Sequence, residues 1–85
     1  MSTQEKLLAK LARKPAPNDF RWVDLITLME GHGFKVSCSG GSHHRFLHAS
    51  GYLFRASKTH PSGLLLTYQI KDALGALNHV SQPAP

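Results

Sequence analysis

A leucine pattern predicts the first helix of the chain. Within residues 2–14, Leu7, Leu8 and Leu11 recur at the spacing of one helix face, while basic residues cover the remainder. The prolines at positions 15 and 17 end this segment, because proline has no amide hydrogen and disfavours helical geometry in the residue before it. We therefore expect a short amphipathic helix and a proline-rich connector over residues 1–17.

A second helical pattern follows the connector. Asn18 or Asp19 can cap its amino end, and the glycines at positions 31 and 33 close it. One face carries four apolar side chains, which we expect to be buried: Trp22, Leu25, Ile26 and Met29.

Period-two alternation replaces the helical spacing after position 33. Residues 34–39 alternate apolar and polar side chains, which is typical of a strand with one face in a core. The glycines at positions 40 and 41 turn the chain. Residues 43–48 and 53–57 are predicted as two further short strands, joined by residues 49–52. The pattern predicts a three-stranded antiparallel meander.

Helical spacing returns in the last part of the chain. Residues 64–80 carry apolar side chains every three or four positions, after a loop over residues 58–63. The element order α-α-β-β-β-α predicts an α+β fold with the helices packed on one face of a three-stranded antiparallel sheet. We expect the main domain to span residues 18–80 and residues 81–85 to form a flexible tail.

Length, charge and cysteine content limit the classes of function. With 85 residues the chain forms one domain at most, which excludes a deep two-domain cleft. Ten Lys and Arg against five Asp and Glu give a net charge of +5, which indicates an anionic partner, either nucleic acid or an acidic protein. A single cysteine, Cys38, excludes an internal disulfide. No apolar run reaches the ~18 residues of a membrane span, so we expect a cytoplasmic protein without a membrane partner.

The middle of the chain is basic and free of acidic residues. Between positions 31 and 71 there is no Asp or Glu, whereas five histidines lie there, and so do Lys35, Arg45, Arg55, Lys58 and Lys71. A glycine-led turn at positions 40–42 opens into two of the histidines. Such a turn lets the backbone approach a polyanion closely, cations can hold the polyanion, and histidine can transfer a proton near neutral pH.

Strand parity separates the histidines of the second strand. Successive strand residues face opposite sides of a sheet, so an inward Phe46 places His44 and His48 on its side and His43 and Arg45 on the outer side. A bulge near the glycine pair would alter this arrangement. The opposite register would bury Arg45. We expect His43 to be available for chemistry, whereas His32, His48 and His79 are expected to be structural; for His44 both roles stay open.

Neither a metal site nor a nucleophile triad fits this segment. His43 and His44 are adjacent and diverge, and no carboxylate lies near them in sequence to complete a coordination shell or to orient a base for Ser42. We therefore expect no metal and no cofactor. RNA, however, supplies its own nucleophile, because its 2′-hydroxyl attacks the adjacent phosphate when a neutral imidazole accepts the proton. His43, Arg45 and the amides of the turn supply the required groups, and a substrate without the 2′-hydroxyl should bind but not be cut.

The run Gly41-Ser42-His43-His44-Arg45-Phe46 follows Gly33-Phe34, which comes after a predicted helix. This run is similar to the Gly-Ser-His-x-x-aromatic signature, at the expected distance from Gly-Phe, of the HicA toxins of bacterial and archaeal type II toxin–antitoxin systems. The sequence resembles that family from about residue 20 to residue 77, and this run is the most specific part of the resemblance. The opening of the second helix is similar to a subgroup that carries an extra N-terminal helix.

The resemblance implies a double-stranded-RNA-binding-domain-like fold and metal-independent cleavage of mRNA by an endoribonuclease that a HicB-like antitoxin neutralises. The catalytic histidine of the family falls on His43, and on His44 in members that place it one residue later. The residues that we expect to contact RNA are Gly41, Ser42, Arg45, Arg55, Lys58 and Lys35.

Two other functions are compatible with the same residues. A non-catalytic RNA-binding module would read backbone and 2′-hydroxyl groups by shape, so that the cations matter and the histidines do not. A protein-interaction domain would use its basic face to meet an acidic partner, and this role can coexist with either of the others.

Overall fold

The computed structural model describes residues 3–58 and 63–81, which form three helices and one sheet. The strands are antiparallel, with the second in the centre. The predicted α+β class and element order are confirmed. In chain order the elements are α1 (Thr3–Leu11), α2 (Trp22–Gly31), β1 (Phe34–Gly40), β2 (His43–His48), β3 (Leu53–Ser57) and α3 (Thr67–Ser81).

The core lies between one face of the sheet and the helices. Phe46 at the centre of β2 is completely buried, and each neighbouring strand adds a buried phenylalanine, Phe34 and Phe54. α2 and α3 bury apolar side chains in the same cluster, among them Leu25 and Ile70. The opposite face of the sheet carries mostly exposed side chains. This one-sided burial is what period-two alternation predicts for a sheet with one covered face.

The first helix belongs to the same core. Leu11 is fully buried, and Leu7 and Leu8 pack partly buried against the cluster. The Gln4 side chain donates a hydrogen bond of 2.9 Å to the backbone oxygen of Thr27 on α2. The helix ends at Leu11, earlier than the predicted limit of residue 14. Residues 3–17 are therefore joined to the main domain by shared packing.

The start of α2 differs from the prediction. Arg21, and not Asn18 or Asp19, occupies the N-cap position, and no side chain caps the helix. Arg21 instead donates two hydrogen bonds, of 3.0 and 3.1 Å, to the Asp24 carboxylate in the first turn. The buried face includes Leu28, whereas Ile26 is only partly buried.

The start of α3 is also later than predicted. The helix begins at Thr67 because residues 64 and 65 are extended and pair with the segment before α2. Arg21 and Leu64 form an antiparallel bridge, and the Leu65 amide donates a hydrogen bond of 2.9 Å to the Phe20 backbone oxygen. Ser81 is the last residue of α3 and not the first of the tail, while residues 82–85 lie outside the described residues. Among the described helices, none is long and apolar enough to cross a membrane.

Candidate functional site

The site begins at the turn between β1 and β2. Gly40 and Gly41 have φ angles of +137° and +55°, which side chains with a Cβ rarely adopt. The pairing of β1 with β2 shifts between Cys38 and Gly40, so the bulge considered from the sequence is present. The Ser42 oxygen accepts a 2.8 Å hydrogen bond from the Lys58 amide beyond β3. The residue that follows β3 therefore holds the turn, in addition to the pairing of Gly40 with His43 in the β1–β2 hairpin.

The predicted directions of the β2 side chains are confirmed. His43 and Arg45 are exposed, Phe46 is buried, and His44 and His48 are half-buried. The bulge leaves this alternation intact because its extra residue lies in β1, while β2 pairs with β3 in regular register.

His43 is held by a residue that lies directly across the sheet. It pairs with Ser57 of β3, and its Nδ1 lies 3.1 Å from the Ser57 hydroxyl oxygen. A hydroxyl group can donate or accept a hydrogen bond. The contact can therefore persist whichever tautomer His43 adopts, so it can orient the ring before and after a proton transfer.

Ser57 is fixed in turn by Gln69, a buried polar side chain of α3. Gln69 Nε2 donates a hydrogen bond of 2.8 Å to the Ser57 backbone oxygen, and Gln69 Oε1 accepts one of 2.9 Å from the Leu66 amide at the start of the helix. The side chain is only 4% exposed. It therefore connects the first turn of α3 to the end of β3, where the partner of His43 lies.

We expect Gln69→Ala to lower the free energy of unfolding by about 1–3 kcal/mol, because it leaves the Leu66 amide and the Ser57 oxygen without this partner. Urea denaturation at equilibrium measures the change. Lys71→Ala, an exposed position of the same helix, is the control and should stay within about 0.5 kcal/mol of the original chain. Equal stabilities for the two variants would contradict the linking role of Gln69.

His44 occupies the inner side of the same strand end. Its Nδ1 donates a hydrogen bond of 2.8 Å to the Ser42 backbone oxygen. Its ring lies edge-on to the Trp22 ring, with the ring centroids 5.0 Å apart. Both contacts stabilise the turn. His44 thus has a structural role beside any chemical one.

Two arginines face each other beside His43. Arg45 and Arg55 are direct cross-strand partners, and both are exposed on the outer face. The hydrogen bonds at both ends of the β2–β3 ladder, from Lys58 to Ser42 and from His48 to Tyr52, place this pair at a non-hydrogen-bonded position, where side chains approach most closely. Like charges in this position are destabilising. Within residues 3–58 and 63–81 neither arginine forms an ion pair with a carboxylate.

A cavity of about 600 Å³ opens along the free edge of β3, and we call it the edge cavity. Four of the predicted site residues line it: His43, His44, Arg45 and Arg55. Four others do not: Gly41 and Ser42 form the turn, Lys58 follows β3, and Lys35 lies on the outer face of β1. The structure thus gathers the histidines and the arginine pair around the edge cavity, and neither Lys58 nor Lys35 contributes to its lining.

The other wall of the edge cavity comes from α3 and was not predicted from the sequence. Its residues are Tyr68, Gln69 and Asp72. The Asp72 carboxylate lies just beyond the acid-free stretch in sequence, and the fold brings it to the site. Helical spacing of Tyr68 and Asp72 was a visible signal that both share one helix face, but not that this face meets β3. Ser57, by contrast, follows from the hairpin register.

The remaining described histidines have structural contacts. His32 Nδ1 donates a hydrogen bond of 2.9 Å to the Leu28 backbone oxygen. His48 Nδ1 accepts a hydrogen bond of 3.0 Å from the Ser50 amide, and the His79 ring stacks on the Tyr52 ring. These contacts agree with the structural roles expected for them.

In the part of the chain that the structure describes, no group of three or more His, Cys, Asp or Glu side chains is placed to hold a metal ion. Comparison of this chain with protein-family models, with curated proteins and with solved structures finds no match.

Proposed function

We propose that this protein is an endoribonuclease that cleaves RNA by histidine acid–base chemistry. The observation that carries the proposal is the Arg45–Arg55 pair beside His43 in the edge cavity. Two guanidinium groups held together without a carboxylate partner among the described residues cost stability, and a bound phosphate removes that cost because each arginine can donate two hydrogen bonds to it.

The reaction follows from this placement. With the phosphate on the arginine pair, His43 accepts the proton of the neighbouring 2′-hydroxyl, and the 2′-oxygen attacks phosphorus. The bond to the 5′-oxygen breaks, that oxygen takes a proton from water, and a 2′,3′-cyclic phosphate remains. Arg45 and Arg55 stabilise the negative charge that develops on the phosphate oxygens. Ser57 keeps the His43 ring in position throughout.

The family proposal rests on the resemblance of the Gly41–Phe46 run to HicA toxins. The element order and the exposed His43 at the start of β2 support it. On this proposal the fold is double-stranded-RNA-binding-domain-like, the substrate is mRNA in the cytoplasm, and a HicB-like antitoxin neutralises the protein by covering the basic cavity.

The test is incubation of the purified protein with an RNA in the presence of a chelator. We expect cleavage to continue, because the proposed chemistry uses no metal, and the products to end in a 2′,3′-cyclic phosphate. The matched control is the same sequence as DNA, which should bind but stay intact because it lacks the 2′-hydroxyl. Intact RNA after incubation with folded protein would contradict the proposal.

A non-catalytic RNA-binding module is the second candidate, and the same arginine pair supports it. Lys35 extends the exposed basic face beyond the edge cavity, which suits backbone contacts along a longer RNA. This candidate predicts salt-sensitive binding of RNA without cleavage.

A further inference from the structure

The wall of the edge cavity on α3 presents an aromatic ring and a carboxylate side by side. Tyr68 and Asp72 are four residues apart on the helix, so they are neighbours on one face. Both line the cavity together with His43 and the arginine pair. Tyr68 is 61% exposed, so its ring is accessible to a ligand in the cavity.

Asp72 is the unexpected component. In a cavity that attracts phosphate, a carboxylate opposes binding by charge repulsion. In the described part of the chain its side chain has neither a hydrogen bond nor an ion pair, so it is not paired with either arginine. A carboxylate accepts hydrogen bonds from N–H groups, and nucleobases carry such groups.

We propose that Tyr68 and Asp72 form a subsite that recognises a guanine base of single-stranded RNA. This inference deepens the proposed function and rests on it for the presence of RNA at the site. A nucleotide whose phosphate lies on Arg45 and Arg55 stacks its base on the Tyr68 ring, as aromatic side chains commonly do with unpaired bases. The Watson–Crick edge of that base then faces Asp72.

Guanine is the base that matches a carboxylate on this edge. Its N1–H and its 2-amino group are adjacent donors, and they fit the two carboxylate oxygens in the bidentate manner of charge-assisted pairs. The corresponding edges of adenine and cytosine pair one amino donor with a ring nitrogen that accepts, and uracil flanks its single N–H with two oxygens. These acceptors repel a carboxylate. A duplex conceals the same edge, so the subsite selects unpaired guanine.

Binding of short single-stranded DNA to the full chain tests this subsite without cleavage. The probes are thymidine oligonucleotides that carry at one position guanine, adenine or hypoxanthine, which is the base of inosine and is guanine without the 2-amino group. We expect the guanine probe to bind about tenfold more tightly than the inosine probe, since one hydrogen bond to a charged group is lost. Fluorescence anisotropy at constant salt measures the affinities.

Variants assign the preference to the two residues. Asp72→Asn should reduce the difference in affinity between the guanine and inosine probes to less than about twofold. Tyr68→Ala should weaken binding of the guanine probe about tenfold, whereas Tyr68→Phe should keep the affinity for that probe. Glu30→Gln removes the same charge at an exposed position of α2 and should preserve the preference.

Equal affinity of the original chain for guanine and inosine probes overturns the subsite, and so does a preference that survives Asp72→Asn or an absence of binding by every probe. These outcomes differ from failure of the proposed function. A guanine preference without cleavage of RNA would support the subsite and contradict the ribonuclease proposal. Cleavage of all RNAs without a base preference would support the ribonuclease proposal and contradict the subsite.

Discussion

Replacing His43 by alanine is expected to lower the rate of RNA cleavage by about 100-fold to 10,000-fold, which is the range that a positioned general base contributes. The fold should remain intact, because His43 is exposed and its side chain faces away from the core. Binding of RNA should persist, since Arg45 and Arg55 stay in place. The measurements are the cleavage rate of a defined RNA and, separately, its affinity.

Two other histidine variants make this result specific. His32→Ala removes a histidine at the end of α2, outside the edge cavity, and should leave the cleavage rate within about twofold when folding is intact. His44→Ala removes the hydrogen bond to Ser42 and the contact with Trp22, so it should reduce thermal stability as well as activity. An unchanged rate in His43→Ala would contradict the assignment. Loss of cleavage in His44→Ala at full stability would assign the role of general base to His44 instead.

The second large effect concerns stability. We expect Phe46→Ala to lower the free energy of unfolding by about 3–5 kcal/mol, as found for large aromatic truncations in cores. Phe46 is completely buried in the central strand, and its ring contacts Trp22 and Phe54 with centroids 6.0 and 5.3 Å apart. Because small domains have total stabilities of about 5–15 kcal/mol, the variant should lose a large part of its stability.

The adjacent residue provides the control for this stability change. Leu47 is also on β2, but it points outward and is 48% exposed. Leu47→Ala should therefore change the free energy of unfolding by less than about 1 kcal/mol. Guanidinium denaturation followed by tryptophan fluorescence measures both, since Trp22 is the single tryptophan. Similar losses in the two variants would contradict the inward position of Phe46 and the outward position of Leu47. They would also contradict the outward position of His43, on which the proposed chemistry depends.

The two predictions are linked by the geometry of one strand. Burial of Phe46 determines which way His43 and Arg45 face, and the same register sets Arg45 opposite Arg55 and His43 opposite Ser57. A core residue that never contacts RNA thereby positions the groups that are proposed to contact it. Stability and chemistry at this site are in this sense properties of a single register.

Much of this arrangement was predictable from local pattern. Alternation over residues 43–48 predicted an inward Phe46 and an outward His43, and both are observed. The reason is that strand side chains alternate strictly, so one buried residue determines the rest. The meander order also followed from short turns, because consecutive strands with short connections pair as antiparallel neighbours. Capping was less predictable: Arg21 occupies the N-cap position of α2 where Asn18 or Asp19 was expected, since residues 20 and 21 are held in extended form by residues 64 and 65.

The sequence by itself determined the class of the fold, the face of β2 that carries His43 and Arg45, and the basic character of the site, because charge and strand alternation are local properties. Tertiary structure alone decided that α3 closes the edge cavity, that Gln69 holds the strand end that positions His43, and that Asp72 stands in a basic cavity. These contacts join residues from separate elements, and no local pattern encodes how a helix face is rotated and placed against a strand. The packing of the whole core sets that placement.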